Sequence, residues 1–66
     1  MLDVNALRAE WVKKGLYQKD VAALIGVTPK TFSLKLKKGV LGSDEIERII
    51  NVLSIENPLN IFFKAE

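Results

Sequence analysis

The run Gly26-Val27-Thr28-Pro29 is the feature that most limits what this chain can fold into. Glycine readily takes the left-handed conformation that ends a helix. A threonine hydroxyl followed by proline begins one, because the hydroxyl caps the free N–H groups and proline's missing N–H is harmless at the first helical position. Two helices are therefore joined with only Gly26, Val27 and Thr28 between them, and a link this short makes them cross at a steep angle. The crossing requires a small side chain where the helices approach and a positive φ at the turn. Ala22 and Gly26, one helical turn apart, meet both demands. Val21, Ile25, Val27 and Phe32 supply the apolar contacts that hold the angle.

The flanking sequence predicts more helix. Asp3 is suited to cap a first helix whose apolar positions Val4, Leu7 and Trp11 recur at i, i+3 and i+7. Gly15 ends it, with Lys13 and Lys14 in the last turn where the dipole favours cations, and Leu16 turns back onto the core. The second helix runs from Tyr17 or Gln18 to Ile25, with Val21, Ala22, Leu24 and Ile25 apolar. The third continues to about Lys37, with Phe32 and Leu36 one turn apart on the buried side. Gly39 and Gly42 bracket a loop, Ser43 is expected to cap a fourth helix, and Asp44 and Glu45 bring negative charge to its start. Ile46, Ile49, Ile50 and Leu53 form the cleanest amphipathic stripe in the chain. Asn57 and Pro58 then start a last turn carrying Leu59, Ile61, Phe62 and Phe63. The prediction is all-α: one compact domain over residues 1 to 66, four helices and a short fifth, with a helix-turn-helix at 18 to 37.

Composition narrows the function. Among 66 residues there is no cysteine and no histidine, so disulfides and the usual zinc ligand sets are excluded and no metal or cofactor is expected. With 48% hydrophobic and 27% charged residues the chain reads as globular. No apolar run approaches the roughly 20 residues of a membrane span, and no secretory leader pattern opens the chain, so an intracellular protein with no membrane partner is expected. The net charge of +2 says little, but between Asp20 and Asp44 there is no acidic residue, while Lys30, Lys35, Lys37 and Lys38 all fall there. That segment reads as a local cation.

Gln18, Ala22, Gly26, Val27, Thr31 and Ser33 resemble the helix-turn-helix of the Cro and CI repressor family. The likeness extends to Gly15-Leu16, Phe32-Ser33-Leu34-Lys35-Leu36, Asp44-Glu45-Ile46 and Phe62-Phe63, which together look like the small Cro-like proteins of phages and prophages in Gram-positive bacteria. The resemblance implies a lambda-repressor-like fold and a sequence-specific double-stranded DNA-binding regulator in a bacterial cytoplasm. Three departures from the family pattern matter. Tyr17 stands where many relatives have a Thr or Ser cap. Trp11 and Leu36 replace a buried arginine and glutamate pair, and an apolar contact between them is expected instead. Lys35 occupies an often aliphatic position.

In the family's docking mode the third helix enters the major groove while the second abuts the backbone. Carried over, the DNA-contacting set is Tyr17, Gln18, Thr28, Pro29, Lys30, Thr31, Ser33, Leu34, Lys37 and Lys38. Lys30 is the choice for guanine O6 and N7, and Leu34 for a thymine methyl. Ser33 suits a base or a phosphate, and Gln18, Lys37 and Lys38 suit phosphates. A homodimer on DNA is expected through Ile61, Phe62 and Phe63, because three successive apolar residues cannot all point into one core.

An enzyme reading finds no clustered carboxylates, no His or Cys nucleophile and little room for a pocket, so neither catalysis nor a small-molecule substrate is expected. The competing reading is a helix-turn-helix module that binds another regulator, as an anti-repressor or antitoxin does. Pro29 and Leu34, which offer a groove little hydrogen bonding, favour it.

Overall fold

The computed structural model describes residues 2–63, and among them there are helices and no strand. The order is α1 (Val4–Lys13), α2 (Gln18–Ile25), α3 (Pro29–Lys38), α4 (Ser43–Leu53) and α5 (Pro58–Phe62). The expected all-α domain is therefore what forms, with α3 one residue longer than its sequence signals indicate.

Each start has a local cause. The Asp3 carboxylate accepts the Ala6 N–H at 3.0 Å, and Thr28 Oγ1 accepts the Thr31 N–H at 3.2 Å. The α4 start corrects the sequence reading, since the cap residue is Gly42 and Ser43 is already helical. The reason lies three residues on, where Glu45 reaches back and accepts the Gly42 N–H at 2.9 Å. A Cβ at position 42 would come within 3.3 Å of Glu45 Oε1, so the bare glycine leaves room for that carboxylate.

Four helices end in the same way. The chain turns through a left-handed residue, Gly15, Gly26, Gly39 or Ser54, and the next residue, always apolar, sends its N–H back to a carbonyl of the last turn. The bonds run from Leu16 to Trp11 (2.9 Å), Val27 to Ala22 (3.0 Å), Val40 to Lys35 (3.1 Å) and Ile55 to Ile50 (3.1 Å). This motif satisfies carbonyls that a helix end leaves unpaired and, at Leu16, Val27 and Ile55, turns an apolar side chain toward the body of the protein, whereas Val40 stays exposed. Only the fourth instance uses a side-chain-bearing residue, Ser54 at φ 51°.

All five helices and the α4–α5 link contribute to a single core: Leu7 and Trp11, then Val21, Ala22 and Ile25, then Phe32 and Leu36, then Ile49 and Leu53, with Ile55, Ile61 and Phe62 closing it. The Trp11 and Phe32 rings lie 6.0 Å apart at 52°, a tilted aromatic contact. Trp11 and Leu36, the pair expected to replace an ion pair, are both buried in this cluster. Ile46 and Ile50 pack at its edge. Leu24 does not join it and stays 52% exposed, because the buried stripe of α2 runs through Val21, Ala22 and Ile25 and leaves position 24 on the flank.

The last element divides the expected dimer surface. Ile61 and Phe62 are buried in the core, at 6% and 5% exposure, while Phe63 is 63% exposed. The Asp3 N–H donates to the Ile61 carbonyl at 2.7 Å, docking α5 on the start of α1 so that Ile61 and Phe62 face inward. Of the three residues only Phe63 is open to a partner.

Ser54 makes a stability prediction. A non-glycine residue in the left-handed region is strained by about 1–2 kcal/mol, against which the extra unfolded-state freedom of glycine weighs about 0.4–1 kcal/mol. Ser54→Gly should raise stability by about 0.5–1 kcal/mol, read as a higher urea midpoint at unchanged slope.

Candidate nucleic-acid interface

The α3 helix is amphipathic in the sense the turn sequence requires. Phe32 is fully buried and Leu36 nearly so, which directs the opposite side of the helix to solvent. Thr28, Pro29, Lys30, Thr31, Ser33, Leu34, Lys37 and Lys38 are all exposed, Leu34 by 50%. Every residue singled out on this helix as an outward contact is therefore on one accessible surface. The Thr28 and Thr31 hydroxyls are hydrogen-bonded to each other at 2.8 Å while Thr28 Oγ1 also accepts the Thr31 N–H, so both are held at the start of the helix.

The start of α2 differs from expectation. Tyr17 is 71% exposed and Gln18 is half-buried. No hydroxyl caps the first-turn N–H groups; only the reciprocal bond of a capping box is present, with the Asp20 carboxylate accepting the Tyr17 N–H at 2.8 Å. A negative charge thus sits in the first turn, where the dipole favours it and where an incoming anion would otherwise go. The Lys19 ammonium lies 5.9 Å from the centre of the Tyr17 ring, within cation–π range. Lys19 adds a cation at this end of the surface that sequence reading did not single out.

The lysine segment is less uniformly cationic than its sequence suggests. Lys35 is ion-paired with Glu45. The other ion pair among the described residues is Lys13 with Glu10 at 3.4 Å, so Lys30, Lys37 and Lys38 are left without a carboxylate partner there. Glu45 is the one buried charged residue among those described, and both of its oxygens are held: one by the Gly42 N–H, the other by Lys35. One turn further along α4, the Arg48 guanidinium donates to the Ile25 carbonyl at 3.1 Å, at the mouth of the helix-turn-helix turn. Glu45 and Arg48 therefore brace the motif from behind, one gripping α3 and the other α2. The spacing of Gly42 to Glu45 is a capping signal that could have flagged the first. Nothing local announces the second, whose partner lies 23 residues away.

Among the described residues no three of His, Cys, Asp and Glu come together in a way that could hold a metal ion. No helix among them is long and apolar enough to cross a membrane. No protein-family model, curated protein or solved structure matches the chain.

Glu45 carries a pH prediction. Its hydrogen bond to Lys35 is the largest influence on its pKa and, with the Gly42 N–H and the charges of Lys35 and Arg48, holds the carboxyl below its ordinary 4.5 against the opposing effect of burial. A carboxyl depressed in the folded state stabilises the fold at pH above its unfolded value, and that contribution disappears as pH falls through the folded value. Glu45→Gln, which keeps the oxygen that accepts from Gly42, should lower stability at pH 7 by about 1 kcal/mol. Urea midpoints of the two proteins should stay apart down to about pH 5 and converge below 4.5.

Proposed function

We propose that this chain is a sequence-specific double-stranded DNA-binding regulator of the Cro and CI type, acting in a bacterial cytoplasm and reading the major groove with α3. The observation that carries the reading is the outward surface of α3. Phe32 and Leu36 anchor the helix, and Lys30, Ser33, Leu34, Lys37 and Lys38 stand in solvent on a helix reached through a glycine turn of positive φ. That arrangement supports insertion of a helix into a groove, with its first turns toward base edges and its last turn toward phosphates.

The roles follow from chemistry. The Lys30 ammonium donates to guanine O6 and N7, Leu34 packs on a thymine methyl, and Thr31 and Ser33 offer hydroxyls to a base edge or phosphate. Lys37 and Lys38 meet phosphates, giving affinity without reading sequence. Tyr17 and Gln18 flank the backbone at the α2 end; since Asp20 already occupies that helix start, the contact there rests on side chains, with Lys19 the nearby cation.

The longest dimension of the domain is 29 Å, so one copy spans a half-site, and two copies with recognition helices about 34 Å apart would complete an operator. The surface for the second copy is the apolar cleft at the C-terminal end of α3, lined by Val40, Leu41, Ile46 and Phe63 among others, of which Val40 and Phe63 are largely exposed. Sedimentation with a symmetric bound duplex should report two chains per duplex; one chain per duplex would overturn the pairing.

Selection of bound sites from random duplex DNA tests the whole reading and should return a short consensus. Lys30→Ala should flatten preference at one position by about 1–3 kcal/mol, whereas Lys37→Ala should weaken binding to all duplexes alike and reduce the salt dependence of log K by about 0.9. Absence of any retardation of DNA at low salt would favour the module that binds another regulator, for which the exposed Leu34 and Pro29 would then be the docking residues.

A further inference from the structure

Lys35 presents a conflict between position and partner. It lies on the flank of α3 that also carries Thr31, one turn before, and Lys38, one turn after, both exposed and both in the DNA-facing set. By position it is a fourth cation of that surface. Its ammonium nevertheless points to Glu45 on α4, and its side chain is only 36% exposed, against 11% for that of its partner. The carboxylate cannot follow the lysine outward, because its other oxygen is fixed on the Gly42 N–H at the start of α4. For Lys35 to reach a phosphate, a charge-assisted hydrogen bond must break and leave a buried carboxylate held only by the Gly42 N–H.

We infer that Glu45 withholds Lys35 from the phosphate backbone and so holds down the affinity of the domain for DNA of any sequence. The inference rests on the DNA-binding reading and adds a specificity device to it. Each lysine that neutralises a phosphate releases counterions and raises affinity without regard to sequence. A regulator is limited by the ratio of specific to non-specific binding, since non-specific sites are in vast excess. Keeping one lysine of the recognition helix engaged inside the protein lowers the sequence-blind part of binding and leaves Lys30 and Leu34 to read bases.

The test is a titration of a short random-sequence duplex over about 50 to 300 mM salt with the parent, Glu45→Gln, Lys35→Gln, the double variant and Lys37→Ala. Glu45→Gln should steepen the salt dependence of log K by about 0.9 and tighten binding by up to about eightfold near 0.1 M salt. Lys35→Gln should leave the parental slope unchanged, and the double variant should behave as Lys35→Gln does. A Glu45→Gln slope equal to or shallower than the parent's, or a Lys35→Gln slope reduced as much as that of Lys37→Ala, overturns the inference. Circular dichroism checks that each variant folds; if Glu45→Gln does not, Lys35→Gln decides alone. A parent that fails to bind the duplex at all overturns the DNA-binding reading itself, which is distinct from a parent that binds while the variants leave the slope unmoved.

Discussion

The fixed relation between α2 and α3 is the constraint on which the rest depends, and α4 enforces it. A helix offered to a groove is useful only if its angle to the body of the protein is held, and a three-residue turn alone would leave that angle soft. Apolar packing supplies most of the energy: fully burying a side chain such as Val21, Ile25 or Phe32 is worth about 1.5–3 kcal/mol. That force is non-directional. Direction comes from Glu45 and Arg48, one turn apart on α4, which bind the last turn of α3 and the last carbonyl of α2 respectively. Neither bond is worth more than about 1–3 kcal/mol, but unlike apolar burial each depends on direction and so favours the observed arrangement of the helices.

The absence of an ion pair between the first and third helices fits the same pattern. Trp11 and Leu36 stand where relatives of the family this chain resembles carry arginine and glutamate, and here both are core residues, with the indole against Phe32. A buried pair gives orientation at a considerable desolvation penalty, and apolar groups of similar bulk give stability without it. The ion pair that α3 does make is with α4, between Lys35 and Glu45, where Lys35 keeps contact with water.

What was legible in the sequence divides along a physical line. Features decided within one helical turn were readable: Asp3 and Thr28 as caps, Gly15 and Gly26 as stops, Leu7 with Trp11 and Phe32 with Leu36 as buried stripes. The outward set on α3 followed from the same periodicity. Features decided between distant segments were not. Ser43 reads as the cap of α4, where the local bond from Gly42 to Glu45 makes it Gly42; the part that no local signal announces is Lys35, ten residues away, holding the other oxygen of Glu45. Ile61, Phe62 and Phe63 all read as a dimer surface because three apolar residues in a row cannot all face one core; the premise stands, but with the Asp3 N–H bonded to the Ile61 carbonyl it is Ile61 and Phe62 that face inward and Phe63 alone that faces out. The likeness to a repressor family was read from motif residues alone; the exposed α3 surface bears on the DNA-binding proposal and not on the family.

The contact between the indole of Trp11 and the ring of Phe32 has a practical corollary. Because the chain has a single tryptophan, its ultraviolet emission reports on one place only, the junction where α3 meets the first helix. Any loosening of that junction wets the indole and moves its emission to the red, whereas events confined to the far end of the fifth helix leave it silent. The molecule therefore carries its own optical gauge of how firmly α3 is seated.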